Sequence, residues 1–221
     1  MSGSAAHDAL LETPILIEVQ LKNGVPRLHL SGENQQASPH SKATNPANQP
    51  STSQHYRVSF DRYGPAAYGT IEAVKTVLAR ILMRRSAGEP GLEVHIKRLP
   101  SLQTVAHNLE LEGHIGTTYW HHYISGTLRP FYLTDGAADL LEQTGCTRLY
   151  EEITGMVSAH CRHDPFLAIH LKPEGEVEYT NGNLTIYAAS RNAPPLLHPQ
   201  NLYCVFAEDL GGYVLMLARE H

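Results

Sequence analysis

The sequence contains few cysteines and no long apolar segment. Its three cysteines are an odd number without a Cys-x-x-Cys pair, which argues against a disulfide framework and favours a reducing cytoplasm. No apolar run approaches the roughly 18 residues of a membrane helix. Residues 1–14 lack the basic and apolar regions of a signal peptide. We therefore expect a cytoplasmic globular protein without membrane contact.

The segment from residue 33 to residue 54 lacks aromatic residues and also lacks Leu, Ile, Val and Met. Asn, Gln, Ser and Pro dominate it instead. Such a composition buries too little apolar surface to offset the entropy cost of ordering the chain. We predict a disordered loop or linker here, and a segment that orders on contact with a partner is the alternative.

Charge is distributed unevenly along the 221 residues. Residues 1–105 contain 11 Lys and Arg against 8 Asp and Glu, a net charge of +3, whereas residues 106–221 contain 6 against 14, a net charge of −8. This contrast predicts a basic domain over 1–105 and an acidic domain over 106–221. An acidic half can face a basic partner surface or simply favour solubility.

The N-terminal half shows the periodicity of strands around one helix. Asn23-Gly24 supplies the positive φ angles of a tight hairpin turn between the first two strands. Thr70 has the features of a helix N-cap, and Gly88 those of a helix stop. Alternation with a period of two predicts four strands, at residues 15–21, 25–30, 56–60 and 92–96. We predict an α+β arrangement in the order β-β-β-α-β, a mixed sheet with one helix on one face.

The C-terminal half begins with two helix patterns and continues with five strand patterns. Thr134 predicts an N-cap with Asp135 in the first turn, and Gly145 ends this helix. A second helix follows from Thr147 and fades at His160, which gives an αα-hairpin. The strand patterns after it are joined mostly by short turns, so we predict a five-stranded antiparallel meander on which the hairpin packs.

Five basic residues of the N-terminal half could converge into one patch. Phosphate contact is the functional interpretation, and a helix end that suits the helix dipole beside a solvated strand is the structural one. No aromatic residues interleave to form a stacking platform, which favours the structural interpretation. The residues are Arg80, Arg84, Arg85, Lys97 and Arg98.

The stretch from residue 119 to residue 164 joins the two halves and holds the only Trp. Its aromatic and imidazole cluster is the strongest candidate binding surface. The cluster consists of Trp120, His121, His122 and Tyr123. Two adjacent imidazoles diverge on a strand and also on a helix, so this pair is weak evidence for a metal site.

The densest set of reactive side chains lies at residues 160–164. Its candidate catalytic residues are His160, Cys161 and His163, with Cys204 as an alternative thiol, and its candidate metal ligands are His160, His163 and Asp164. Zinc needs three or four converging ligands, and neither a His-Glu-x-x-His motif nor a paired Cys-x-x-Cys motif is present. A helix C-terminus with favourable His residues is the alternative, and we expect no cofactor.

Residues from about 123 to 221 resemble an uncharacterised family of small domains of unknown function, found in bacteria, phages and mobile elements. The matching pieces are Ser125-Gly126-Thr127, Leu133-Thr134-Asp135-Gly136, Leu141-Glu142 with Gly145, Leu202-Tyr203 and the closing Leu215–His221. The resemblance covers a little under half of the chain. It implies an α+β fold and no known activity.

These observations together favour a binding protein over an enzyme. We expect an accessory protein, associated with a phage or mobile element and acting by protein–protein contact, for example in defence or counter-defence. Nucleic-acid binding through the basic N-terminal half is one alternative, and a metal-dependent or Cys/His-dependent hydrolase centred on 160–164 is another. Self-association through a strand edge is a further expectation for the acidic half.

Overall fold

The computed structural model describes residues 16–22, 25–31, 54–60, 64–84, 94–102, 109, 111, 113–125, 129–161, 165–183 and 185–221. The loop predicted over 33–54 lies outside these residues except for Gln54. The Gln54 side-chain amide donates a hydrogen bond to the Leu99 carbonyl oxygen at 2.8 Å. Among the described helices, none combines the length and the apolar character needed to cross a bilayer.

Three α-helices and twelve strands form the described part of the chain. The helices are α1 (Ile71–Arg84), α2 (Asp135–Thr144) and α3 (Thr147–His160). The strands are β1 (Leu16–Lys22), β2 (Val25–Ser31), β3 (His55–Ser59), β4 (Ala66–Thr70), β5 (His95–Arg98), β6 (His121–Tyr123), β7 (Phe131–Leu133), β8 (Phe166–Leu171), β9 (Val177–Thr180), β10 (Ile186–Ser190), β11 (Gln200–Ala207) and β12 (Gly212–Leu217). Short 3-10 turns follow β8 and β12, at Pro173–Gly175 and Ala218–Glu220.

Ten of the strands form one large mixed sheet. Their order across the sheet is β10-β9-β8-β11-β12-β7-β6-β4-β3-β5. The pairs β4–β6 and β7–β12 are parallel, and the other neighbours are antiparallel. Strands β1 and β2 pair only with each other, as a separate antiparallel hairpin. The predicted mixture of helices with a mixed sheet is therefore confirmed.

The N-terminal order contains one strand more than we predicted. Strand β4 occupies the five residues before α1, a stretch that reads Ala-Ala-Tyr-Gly-Thr and shows no apolar alternation. Hydrogen bonding to β3 and β6 holds this segment in a strand conformation, which its sequence pattern alone does not predict. The predicted hairpin β1–β2 and the predicted cap at Thr70 are confirmed, since the Thr70 hydroxyl accepts from the Ala73 N–H at 3.4 Å. The last strand of this half, β5, begins three residues later than expected.

The C-terminal strands are antiparallel to one another, but the prediction of a meander is wrong. After β10, the chain crosses a proline-rich connection and β11 pairs with β8 instead of β10. Strand β12 then pairs in parallel with β7 and so joins these strands to the rest of the sheet. A connection of nine residues between β10 and β11 is long enough for this return, which short hairpin turns would not allow.

Helices cover opposite faces of the sheet at different places. Because successive side chains on a strand point to opposite faces, Tyr56 and Val58 of β3 lie on one face and pack with α1. On the neighbouring strand, Tyr68 of β4 lies on the other face, in the core formed with α2 and α3. Strands from both sides of residue 105 thus share one sheet. The division into two domains at that point stays a prediction.

Candidate functional site

The loop before β6 exposes several large apolar side chains. Within residues 113–120, which we call the aromatic loop, Ile115 is 83% exposed, Trp120 is 44% exposed and Tyr119 is 39% exposed. Single exposed apolar residues are ordinary on a protein surface, but three within six positions are a reason to look for a contact surface.

The first residue of α2 holds the aromatic loop in place. The Thr118 N–H donates to Asp135 Oδ2 at 2.6 Å, and the Asp135 N–H donates to Thr117 Oγ1 at 3.0 Å. The Thr117 hydroxyl in turn donates to the Tyr119 carbonyl oxygen at 2.7 Å. Backbone and side chain of Asp135 therefore both bind the loop, which fixes the backbone that carries Tyr119 and Trp120.

Two further contacts connect the loop region to α2. His114 Nε2 lies 2.9 Å from Asp139 Oδ2, one helical turn beyond Asp135 and on the same face of the helix. His121 Nε2 lies 2.8 Å from Asp135 Oδ1. The loop is thus attached to α2 on both sides of its exposed residues.

Both ring nitrogens of His121 are engaged. The Ala66 N–H donates to Nδ1 at 3.1 Å, so Nδ1 carries no proton in this arrangement. Nε2 then carries the proton and donates it to the Asp135 carboxylate. His121 is also buried. It therefore links β4, β6 and α2 and does not present a nitrogen to a metal or a substrate.

The pKa of Asp135 reflects these contacts. Burial disfavours the charged carboxylate, but the hydrogen bonds from Thr118, His121 and Tyr119 outweigh that effect, so the pKa of Asp135 is lowered. The positive end of the helix dipole favours the same charged form. Asp135 is thus ionised at neutral pH, in the state that accepts these contacts most strongly.

A second carboxylate, that of Glu220, caps the start of α2. Glu220 accepts from the Gly136 N–H at 3.0 Å through Oε1, and from the Thr134 hydroxyl at 2.6 Å through Oε2. A Cβ on Gly136 would come within 2.5 Å of a Leu217 methyl carbon, so a side chain does not fit there. Two of the pieces on which the family resemblance rests, at 133–136 and 215–221, therefore meet in space.

The four residues predicted as a binding cluster have different environments. Trp120 lies at the surface, whereas Tyr123 is 1% exposed and packs with Phe131 and Tyr150. His122 lies on the opposite face of β6, stacked on Tyr132 at 5.5 Å between ring centroids. Burial lowers the pKa of His122. Of the predicted cluster, Trp120 is the member that is available for contact.

Sequence reasoning missed most of what positions the loop. The prediction used the aromatic residues but not Ile115, and it assigned Asp135 only to the helix dipole. The bonds of Asp135 to Thr117 and Thr118 span 18 and 17 positions. Gly113 and Gly116 indicate a turn here, and the Thr-Thr pair before the aromatic residues is a further local signal, since Ser and Thr commonly form structured turns.

The predicted basic patch does not form around β5. Lys97 and Arg98 are consecutive on a strand, so their side chains point to opposite faces of the sheet and cannot bind one phosphate. Lys97 Nζ lies 3.4 Å from Glu142 Oε2. The side chains of Arg80 and Arg84, and all of Arg85, lie outside the described part of the chain, so phosphate contact through them stays a prediction.

A cluster around Glu142 joins α2 to three strands. Arg57 Nε of β3 lies 2.9 Å from Glu142 Oε1, and the Tyr68 hydroxyl of β4 donates to the same oxygen at 2.6 Å. Burial together with the Glu142 carboxylate raises the pKa of Tyr68 well above its usual range. With Lys97 of β5, this cluster cross-links β3, β4 and β5 to the helix.

The described residues of the region predicted to be catalytic, His160 and Cys161, do not by themselves form a catalytic centre. His160 stacks on Tyr187, with ring centroids 4.6 Å apart, and Cys161 is 4% exposed. His163 and Asp164 lie outside the described residues, so their parts in catalysis or metal binding stay predictions. Within the residues that the structure does describe, no three His, Cys, Asp or Glu side chains are placed to hold a metal ion.

Two of the described thiols, Cys146 and Cys204, are poorly suited to nucleophilic catalysis. Burial raises the pKa of Cys146 to about 11 and raises that of Cys204 well above its usual range. A catalytic cysteine needs the opposite shift, because the thiolate is the nucleophile. The alternative thiol Cys204 is fully buried in the main core.

Comparison with known proteins identifies no relative. No protein-family model matches the chain, and no curated protein or solved structure is significantly similar to it. The resemblance of residues 123–221 to the uncharacterised family therefore stays a prediction, and the function has to be argued from the geometry of the chain itself.

Proposed function

We propose that this protein is a non-enzymatic binding protein that acts by protein–protein contact, with the aromatic loop as the contact surface. The observation that carries this proposal is the exposure of Ile115, Tyr119 and Trp120 on a backbone that Asp135 holds in place.

Residue type and rigidity both support a contact role. Trp and Tyr are enriched among the residues that contribute most to binding at protein interfaces. A loop that is already ordered loses less conformational entropy on binding than a flexible one, so more of the contact energy appears as affinity. The bonds through Thr117 and Thr118 provide this order.

Charge supports a particular kind of partner. The aromatic loop lies against the acidic face of α2, where Asp135 and Asp139 are one turn apart. Residues 106–221 as a whole carry a net charge of −8. A partner with an apolar pocket and a basic rim is complementary to such a surface. An accessory role on a phage or mobile element, in defence or counter-defence, rests on the family resemblance alone.

The test is affinity capture from extracts of the cells that naturally make the protein. The full chain is compared with a double variant, Tyr119→Ser with Trp120→Ser, and bound proteins are identified by mass spectrometry. We expect a specific partner to be captured by the unchanged chain and to be depleted at least tenfold with the double variant, since a loss of about 2 kcal/mol at one hot spot suffices.

Ile186→Ser is the matched control. Ile186 is 58% exposed on β10, so its substitution removes a comparable apolar side chain from another surface. The control variant should capture the partner as the unchanged chain does. Equal capture by all three proteins, or capture of nucleic acid alone, would refute the proposal. A second copy of this chain in the captured fraction would identify the partner as the protein itself.

A further inference from the structure

A concave site lies on the sheet face opposite α2 and α3, at the C-terminal strands. On β8, Leu167 and Ile169 belong to the main core, so the alternating residues Phe166 and His170 face the other way. The cleft over them encloses about 410 Å³, which lies in the range of small-molecule sites. Its principal lining residues are Phe166, His170, Asn181, Gly182, Asn183 and Tyr203.

The lining combines aromatic rings with neutral polar groups. The rings of Phe166 and Tyr203 lie 5.3 Å apart at an interplanar angle of 50°. No Asp, Glu, Lys or Arg is among the residues that line the cleft. Such a surface offers flat apolar contact and uncharged hydrogen bonds, and no counter-ion for a charged ligand.

A chain of hydrogen bonds orients the imidazole of the cleft. His170 Nδ1 lies 2.9 Å from Asn201 Oδ1, which only accepts, so Nδ1 carries the proton. His170 Nε2 then accepts from the Thr180 hydroxyl at 3.4 Å, and that hydroxyl oxygen accepts from the Gly182 N–H at 3.2 Å. Partners on both ring nitrogens therefore fix the imidazole in one orientation.

The turn after β9 forms one wall of the cleft. Asn181 Oδ1 accepts from the N–H groups of Asn183 at 2.8 Å and Thr185 at 3.1 Å. Gly182 has a φ of 78°, and a Cβ there would meet the Phe166 ring at 2.7 Å, so the turn lies close against that ring. The side-chain Nδ2 groups of Asn181 and Asn183 form no hydrogen bond with another described residue.

We propose that this cleft binds an uncharged saccharide ring. A pyranose presents an apolar C–H face, which suits the rings of Phe166 and Tyr203, and hydroxyls, which suit the amides of Asn181 and Asn183. Phosphorylated ligands would meet no cation in the lining, and the negative charge of this half of the chain disfavours polyanions. The site is independent of the aromatic loop and adds to the proposed contact function.

The test is saturation-transfer NMR and isothermal titration on the full chain. The probes are the methyl glycosides of glucose, galactose and mannose, N-acetylglucosamine, and chitotriose, with adenosine and uridine as planar competitors. We expect saturable binding of at least one saccharide in the micromolar to millimolar range, with transfer to the C–H face of the ring. Binding of the nucleosides without any saccharide, or no saturable saccharide binding, would overturn the proposal.

Variants separate the cleft from the rest of the surface. Tyr203→Ala removes a ring and should weaken saccharide binding about tenfold or more, whereas Tyr203→Phe keeps the ring and should retain most of it. Asn183→Ala removes an amide at an exposed turn and should also weaken binding. Trp120→Ser, on the aromatic loop, should bind as the unchanged chain does. If Tyr203→Ala and Asn183→Ala are both folded by circular dichroism and bind the saccharide as tightly as the unchanged chain does, the cleft is excluded as the binding site.

Discussion

The two ends of α2 hold the molecule together by different kinds of contact. At its start, Asp135 accepts a hydrogen bond from the Thr118 N–H of the aromatic loop, and Glu220 accepts from the Gly136 N–H and the Thr134 hydroxyl. Near its end, Glu142 pairs with the guanidinium of Arg57 and accepts from Tyr68. The first arrangement positions a surface loop and reaches β6 through His121, whereas the second joins the helix to β3, β4 and β5.

This difference suggests two separate roles for one helix: the contacts near its end stabilise the fold, and those at its start shape the proposed contact surface. Arg57 is only 15% exposed, so losing its partner leaves a poorly hydrated charge and should affect the whole fold. The contact between the Thr118 N–H and Asp135 lies at the exposed surface, so its loss should mainly change the shape of the surface. Three predictions follow this division from the largest expected effect to the smallest.

Glu142→Gln should lower the free energy of unfolding by about 2 to 3 kcal/mol, because it removes the charge that compensates Arg57. Urea unfolding followed by circular dichroism measures this. The matched control is Glu72→Gln, since Glu72 is 78% exposed and pairs with Lys75 on the surface of α1. The control substitution should lower the free energy of unfolding by no more than about 0.5 kcal/mol. Similar losses for the two variants would remove the distinction between the two ends of α2.

Asp135→Asn should lower the free energy of unfolding by about 1 to 2 kcal/mol and should loosen the aromatic loop. Faster hydrogen exchange of the Thr118 amide and a changed emission of Trp120, the only Trp in the chain, report the loosening. Asp139→Asn breaks the neighbouring contact to His114 and serves as the comparison, with a smaller expected effect of about 0.5 kcal/mol. Unaltered exchange and emission in Asp135→Asn would show that the loop does not depend on this carboxylate.

Acid should loosen the aromatic loop when Asp135 becomes protonated. The pKa of Asp135 is lower in the folded protein than in the unfolded chain, so its contribution to stability is present at neutral pH. That contribution is lost as pH falls below about 4 and through the lowered pKa. Trp120 emission should therefore change as the pH falls below about 4.

The same titration on Asp135→Asn provides the control. An amide cannot ionise in this range, so the low-pH change in Trp120 emission should be missing from the variant. The Asp139→Asn protein should keep it. A transition that persists in Asp135→Asn would assign the acid response to another carboxyl group.

Sequence patterns determined the parts of the fold that depend on near neighbours. Thr134 and Gly145 mark the ends of α2 because a cap is an interaction within one helical turn, and Gly145 takes the expected left-handed conformation. The end of α3 at His160 and the position of β3 were predicted for the same reason. Helix and strand periods repeat over a few residues, so they can be recognised without knowledge of the fold.

Only the tertiary structure decided which strands share a sheet and which residues of the central stretch reach solvent. Strand β4 becomes a strand through its partners β3 and β6, and β11 pairs with β8 across a connection that local patterns do not direct. Trp120 and Tyr123 are both large aromatic residues three positions apart, yet one is exposed and the other buried. The bonds that decide these outcomes join residues up to 86 positions apart, as between Thr134 and Glu220, and their geometry exists only once the chain has folded.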